Sequence, residues 1–341
     1  MDALIAQFLN GLDKGAAYAL IALGLTLTFG TLGVVNFAHG ALFMLGAFCA
    51  VLTAQVLSLE SVTLDPTKLT PWGTPTEIRT TYAELYLGDF GAFITDYSIF
   101  IAVLVTIPIM LAIGFAMERG LIRYFYKRPH AEQILVTFGL AIVLSEIIKA
   151  SFGANPIPVS APEALRGSAD IGAFLGLDMF INYPIWRLVY FLAAAIIIAA
   201  VFAFLNLTTY GMVVRAGMQD RDTVQLLGIN INRRFTLVFG IAAAVAGLAG
   251  ALYTPIVPPH YNLGMEFLVL SFVVVVVGGM GSLSGAVAAG FLLGIVQSFA
   301  SLAEVKAIIP GIDQIIIYLI AVVVLLTRPR GLLGRKGVME S

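Results

Sequence analysis

Apolar residues in this chain come in long unbroken runs, without the 3.6- or 2-residue alternation of elements that bury one side against water. A helix crossing ~30 Å of hydrocarbon needs about 20 residues. Runs of that length occupy 16–35, 39–58, 98–117, 133–152, 187–206 and 236–256. A longer block covers 266–300, and a last run covers 311–327. The stretch from Phe267 to Ala300 exceeds one crossing and is interrupted by Gly278-Gly279-Met280-Gly281-Ser282-Leu283-Ser284-Gly285. Glycine weakens a helix and exposes backbone, so this octet predicts a turn or broken helix at a membrane boundary. The simplest count is nine crossings, within a range of eight to ten. The expected fold is all-α: a polytopic helical membrane protein with one transmembrane domain over 1–341, including short or broken helices around 278–285.

Composition makes lipid the solvent. Apolar residues are 60% of the chain and charged residues 11%, against about 45–50% and about 25% for soluble domains. The formal net charge of -1 points to no partner. Basic residues are scattered without interleaved aromatics, so nucleic acid is not expected. The single cysteine, Cys49, lies in an apolar run and fits a small buried hydrophobe. The apolar stretch after Lys14 continues without a small-residue cleavage site and is expected to be a retained span.

Lysine and arginine set the expected orientation. Arg119, Arg123, Lys127 and Arg128 follow the third run; Arg215, Arg221, Arg233 and Arg234 follow the fifth; Arg328, Arg330, Arg335 and Lys336 follow the last. These segments hold 12 of the 19 basic residues, and a nine-crossing zigzag puts all of them on one side, the cytoplasm. The glycine octet falls on that side too. A re-entrant stretch around Asn36–Gly40, or Met1–Leu9 lying along the interface, would change the N-terminal side and leave the C-terminus cytoplasmic. The two long external loops are 59–97, with six acidic and two basic residues and Pro66, Pro71 and Pro75, and 153–186, with Pro156, Pro158, Pro162 and Pro184. Either is surface decoration or a docking surface for an external solute-binding protein.

Catalytic chemistry has little to stand on. There is no G-x-x-x-x-G-K-S/T phosphate loop, so the chain is not expected to hydrolyse ATP. His39, His130 and His260 lie apart, without metal-ligand spacing, and no nucleophile elbow or H-E-x-x-H helix is present. No metal or cofactor is expected. Glu146 is the main charge inside a span; Lys149 is three residues on, which allows a purely structural ion pair, and Glu118 lies near a span end.

Three polar, glycine-bearing interruptions remain. In Gly33-Val34-Val35-Asn36-Phe37-Ala38-His39-Gly40, Asn36 and His39 would share a helical face. They line a translocation route or a helix break beside it, or they sit in the headgroup layer at a span boundary. In Tyr210–Asn230, Met218, Arg221, Gln225 and Leu226 fall at helical spacing, and Gly228 can supply a left-handed C-terminal cap. Such a helix could lie at the interface or insert into a cytoplasmic partner. The octet is the third. Small pairs at i, i+4 (Ala243/Gly247, Ala246/Gly250, Gly290/Gly294) predict tight helix crossings.

Taken in order, these stretches resemble the branched-chain amino acid ABC-transporter permeases, the LivH-type subunit more than the LivM-type. Tyr18–Gly24 leads into Asn36-Phe37-Ala38-His39-Gly40, which is similar to the family's N-F-A-H-G. Arg215-Ala216, Leu226-Leu227-Gly228-Ile229-Asn230, Ala244–Gly250, Gly278–Ser282 and Arg328-Pro329-Arg330-Gly331-Leu332-Leu333-Gly334 follow. The resemblance implies an inner-membrane importer subunit working with a LivM-type permease, two cytoplasmic ABC ATPases and a periplasmic solute-binding protein. It implies that 208–235 is the ATPase-coupling segment, with Arg215, Ala216, Gln219, Asp220, Thr223, Leu226, Gly228 and Ile229 as candidates. It favours a place on the translocation path for Asn36, Phe37, His39, Gly40, Gly278, Gly279, Gly281 and Ser282. The 59–97 loop is longer than this family pattern. The alternatives are a urea or short-chain amide permease of the same family, and an ion-coupled secondary transporter, for which internal repeats and midplane charges would be expected.

Overall fold

The computed structural model describes residues 2–69, 75–126, 128–174, 176, 181–219 and 221–334; Pro71, Lys127, Asp220, Arg335 and Lys336 lie outside the described residues. The apolar runs form helices because lipid offers the backbone no hydrogen-bond partners and a helix satisfies its own. In chain order come α1 (Asp2–Leu32) and α2 (His39–Leu57), then a hairpin of β1 (Glu60–Leu69) and β2 (Pro75–Thr81). The short α3 (Tyr82–Leu87) and α4 (Asp89–Asp96) lead to α5 (Ser98–Gly120) and α6 (His130–Phe152). Strands β3 (Ser168–Asp170) and β4 (Asn182–Pro184) flank α7 (Ile171–Phe174). Next are α8 (Ile185–Leu207), α9 (Thr209–Gln219), α10 (Arg221–Leu226) and α11 (Ile231–Tyr253). The chain closes with α12 (Leu263–Gly278), α13 (Leu283–Ala300), α14 (Ala303–Ile308) and α15 (Ile312–Thr327).

Seven helices among the described residues are long and apolar enough to span a membrane, namely α1, α2, α5, α6, α8, α11 and α13; α12 and α15 are shorter apolar helices. These nine are the elements the apolar runs predicted. Two segments differ in detail. Helix α1 begins well before residue 16, which brings Asp13 and Lys14 inside it. The described residues of the 59–97 segment carry regular structure: β1 and β2 pair antiparallel from Glu60↔Thr81 to Asp65↔Thr76. Two of its prolines sit where a missing N–H is tolerated, Pro66 inside the register shift between Asp65 and Leu69 and Pro75 at the start of β2.

Helices α1 and α11 are almost enclosed, whereas α5, α6 and α8 turn most of their surface outward. Without a hydrophobic drive between helices in lipid, close packing has to hold such a bundle, and small residues permit it. A Cβ on Gly290 would lie 2.7 Å from the Ala19 nitrogen, and one on Gly294 would strike Gly15 of α1. The α2–α11 crossing is equally tight, with Gly46 against Gly247 and Gly250 against the Phe43 carbonyl. One end of the bundle gathers the α1–α2 link, the α5–α6 link and the α8–α11 link, because Leu32, Val34, Ile122, Val224, Ile231, Phe235 and Phe239 form a single apolar cluster. The α12–α13 turn and the segment after α15 meet at that same end, where Gly281 faces Gly30 of α1.

Candidate functional site

The α1–α2 link is built by its glycine and its asparagine. Gly33 takes φ 65° and ends α1, which a side chain at this position would resist. Asn36 Oδ1 accepts from Ala38 N at 3.0 Å, and His39 N donates to Asn36 O at 3.2 Å, making a turn that starts α2. Asn36 therefore precedes the helix that His39 begins, and the two share no helical face. The link is set inside the bundle. Phe37 N donates to Thr137 Oγ1 at 3.0 Å, and Thr137 lies seven residues along α6, about 10 Å from its start. Further along, Phe48 packs on Phe152 at 4.9 Å, so α2 and α6 rise together.

Side chains of the link alternate. Val34, Asn36 and Ala38 are buried, and Val35 and Phe37 are half-exposed. Phe37 faces Phe272 at 5.4 Å and Phe138 at 6.5 Å. Beside it, Leu25, Phe29, Val35, Phe272, Val275 and Met280 line a shallow apolar cleft. Asn36 and His39 are fully buried between helices. The His39 ring addresses the Ile21 carbonyl without reaching good hydrogen-bond geometry, and Asn36 Nδ2 has no partner among the described residues. Gly24 makes the room for that ring: a Cβ there would lie 2.5 Å from His39 Nε2 and 3.1 Å from the Ala242 carbonyl. Gly40 lets α2 approach Gly264 and Leu268 of α12. Of the four candidates in this link, Phe37 alone is not buried, and it borders the cleft through its contact with Phe272.

The glycine octet is a backbone junction. Helix α12 ends at Gly278, Gly279 and Gly281 take φ 102° and 84°, and Ser282 Oγ accepts from Gly285 N at 3.1 Å to cap α13. The segment after α15 docks on it: Leu332 N donates to Val277 O at 2.8 Å, and Leu333 N to Gly278 O at 3.1 Å. A Cβ on Gly279 would lie 2.6 Å from Gly334, and one on Gly331 2.5 Å from Gly279 N. The two glycine-bearing motifs, far apart in the sequence, are one contact, and these bonds account for Gly278, Gly279 and Ser282 locally.

Among its described residues the polar 208–235 segment holds α9, α10, the turn after it and the first residues of α11. Gly228 takes φ 78° and Gly228 N donates to Gln225 O at 2.9 Å, closing α10 as its spacing predicts. Arg215 donates to Asn206 Oδ1 at 2.5 Å, Ala216 is exposed, Gln219 ends α9, and Thr223 is exposed on α10. Leu226 and Leu227 are 87% and 73% exposed. Beside them, Gln225, Gly228, Ile229, Asn230 and Ile231 line a cleft of about 260 Å³. The opposite side of this unit is buried: Val224 and Ile229 pack in the cluster that holds Val34 of the α1–α2 link. An object seated on Leu226 and Leu227 is thus one apolar layer away from the link that carries Phe37.

Two buried charge clusters are less visible in the sequence. Glu118 is fully buried and accepts from Arg123 Nε and Nη2 at 3.1 and 3.0 Å, from the Tyr126 hydroxyl at 2.6 Å and from the Thr236 hydroxyl at 2.8 Å. It ties the end of α5 to the start of α11. At the opposite end, Asp13 on α1 faces Arg187 on α8 at 3.6 Å, and Arg187 donates to Asn10 Oδ1 at 2.8 Å. Burial pushes the neighbouring Tyr183 phenol up to about 12, so it stays neutral beside the pair. Glu146, the charge most visible in the sequence, pairs with Lys149 at 3.6 Å on an exposed face.

Apolar helices with outward-facing Leu, Ile and Val, buried carboxylates each paired with an arginine and an interior closed by glycine crossings define a polytopic α-helical membrane protein. The family model for the branched-chain amino acid transport system / permease component matches residues 7–325, and the chain belongs to that family. It is 29% identical to the high-affinity branched-chain amino acid transport system permease protein BraD of Pseudomonas aeruginosa, over 98% of this chain and 97% of BraD. It is 28% identical to LivH of Escherichia coli (strain K12), a permease protein of the same description, over 98% of this chain and 96% of LivH. A more distant relative is the ribose import permease protein RbsC of Haemophilus influenzae, 23% identical over 66% of this chain and 69% of RbsC. No solved structure matches the chain.

Proposed function

We propose that this chain is one of two permease subunits in an inner-membrane, ATP-driven importer of branched-chain or related amino acids. A second, LivM-type permease completes the path, two cytoplasmic ATPases supply the energy, and a periplasmic binding protein delivers the solute. The end of the bundle carrying Arg119, Arg123 and Arg128, Arg215–Arg234 and Arg328 faces the cytoplasm. The coupling surface is α10 with its following turn, and the Phe37 link with its apolar cleft is this subunit's share of the path. An aliphatic solute side chain passes along Val35, Phe37 and Phe272, while Asn36 holds the link in shape from behind.

The observation that carries this reading is the pair of exposed leucines at the end of α10, Leu226 and Leu227, backed by the cluster shared with Val34. Apolar side chains at a polar, water-facing end call for a covering surface. Burying both in a partner groove contributes about 1.5–3 kcal/mol each. The test is Leu226→Asp with Leu227→Asp in the co-expressed complex. ATPase subunits should be lost on purification while the chain keeps its helical content. Full retention of the ATPases would place their contact elsewhere.

A further inference from the structure

Helices α3 and α4 carry an apolar stripe that nothing among the described residues covers. No residue of α3 is buried, and in α4 only Gly91 is, where it touches the Ala83 carbonyl as the two helices cross. Tyr82, Leu85 and Tyr86 are exposed on α3, and Phe90 and Phe93 on α4. Phe90, Phe93, Tyr97 and Phe100 follow at intervals of three and four, so they share one side as α4 passes into α5. Their rings form a chain, with centroids 6.5 Å apart for Phe90–Phe93, 4.5 Å for Phe93–Tyr97 and 6.1 Å for Tyr97–Phe100. The chain ends 5.9 Å further on at Trp186, in the first turn of α8. Asp89 and Asp96, four residues before and three after Phe93, border this stripe on its polar edge, and Asp96 accepts from the Glu163 amide at 2.9 Å.

The position of the stripe identifies its occupant. Thr95 Oγ1 donates to the Leu57 carbonyl at 3.4 Å, which fixes α4 at the level where α2 ends. Phe100 is exposed at the start of α5, a helix that turns most of its surface outward, and packs on Trp186, which is buried at the start of α8. The exposed rings therefore continue the lipid-facing surface outward to headgroup depth, where amphipathic aromatic side chains are most favourable. We infer that α3 and α4 lie in the headgroup layer as an aromatic anchor, holding the β1–β2 hairpin close over the membrane. The partner is the phospholipid boundary itself. This inference needs no importer partner and stands independently of the reading above.

Spin-label collision measurements on the full chain test it. In a Cys49→Ser background, nitroxides are placed by Phe90→Cys and Phe93→Cys, with Glu77→Cys on the hairpin and Leu104→Cys on the outward face of α5 as references. The chain is reconstituted in phosphatidylethanolamine and phosphatidylglycerol vesicles, and circular dichroism verifies that each labelled bundle is helical. The expected result is a ratio of oxygen to nickel-chelate collision rates at 90 and 93 well above that at 77 and approaching that at 104. Ratios equal to that at 77 would overturn the anchor. So would water-exposed labels that become shielded only when the soluble solute-binding protein is added, since the stripe would then be its docking site.

Discussion

The fit of His39 beneath Gly24 allows a quantitative test of how the α1–α2 link is held. Alanine at position 24 places a methyl group 2.5 Å from His39 Nε2 and 2.8 Å from Cε1. Ordinary contact begins about 1 Å further out, and the ring has no exposed side to retreat through. The Ala242 carbonyl, 3.1 Å from the same methyl, prevents α1 from yielding toward α11. Overpacking of this kind costs about 1–3 kcal/mol, or roughly a 5- to 150-fold loss in the folding equilibrium. Removing the ring by His39→Ala should cost little, because the cavity it leaves is offset by the loss of buried nitrogens without good partners. The Gly24→Ala, His39→Ala double variant should then recover most of what Gly24→Ala loses, with a coupling of roughly 1–3 kcal/mol between the two sites. Thermal and denaturant unfolding of the four detergent-purified forms measures the cycle. Additive effects would refute the account, because they would mean that the ring is not what Gly24 accommodates.

Glu118→Gln should lower stability by roughly 2 kcal/mol through the weakening of charge-assisted bonds; the half-exposed Arg123 can regain water, which limits the loss. An unchanged melting temperature would show that the network is incidental. Gly331→Ala should undock the segment after α15, since its φ of 79° and the Gly279 nitrogen 2.5 Å away both oppose a side chain. Rapid trypsin cleavage after Arg330 is the expected readout, the Arg328–Pro329 bond being resistant, and protection equal to that of the native chain would contradict it.

The nine apolar helices were legible in the sequence because lipid leaves the backbone one local solution, so length and hydropathy suffice. The α10 cap at Gly228 was legible for a similarly local reason. What escaped depends on partners distant in the chain. Asn36 and His39 were visible as polar residues in an apolar run, but nothing local says that they turn inward while Phe37 turns out. That alternation belongs to an extended link whose register is set by Thr137 on another helix. The octet announced a turn, yet the need for Gly279 comes from Gly334 and the Arg330 carbonyl, which only the closed end of the bundle brings near. Asp13 fell outside the first apolar run, and its partner Arg187 opens a helix that follows a long polar loop, so neither residue pointed to the other. A signal was present all the same: an acid and a base at the same end of two spans are expected to pair when both are buried.

The central claim is that ATP hydrolysed at the α10 end powers solute movement past the Phe37 link. Uptake of radiolabelled leucine into proteoliposomes of the assembled complex tests it most directly, with nucleotide confined to the compartment facing α10 and ion gradients abolished by ionophores. The account predicts uptake that needs ATP on that side and survives the ionophores. Uptake that ceases with the gradients while ATP remains, or that proceeds without ATP, would contradict it.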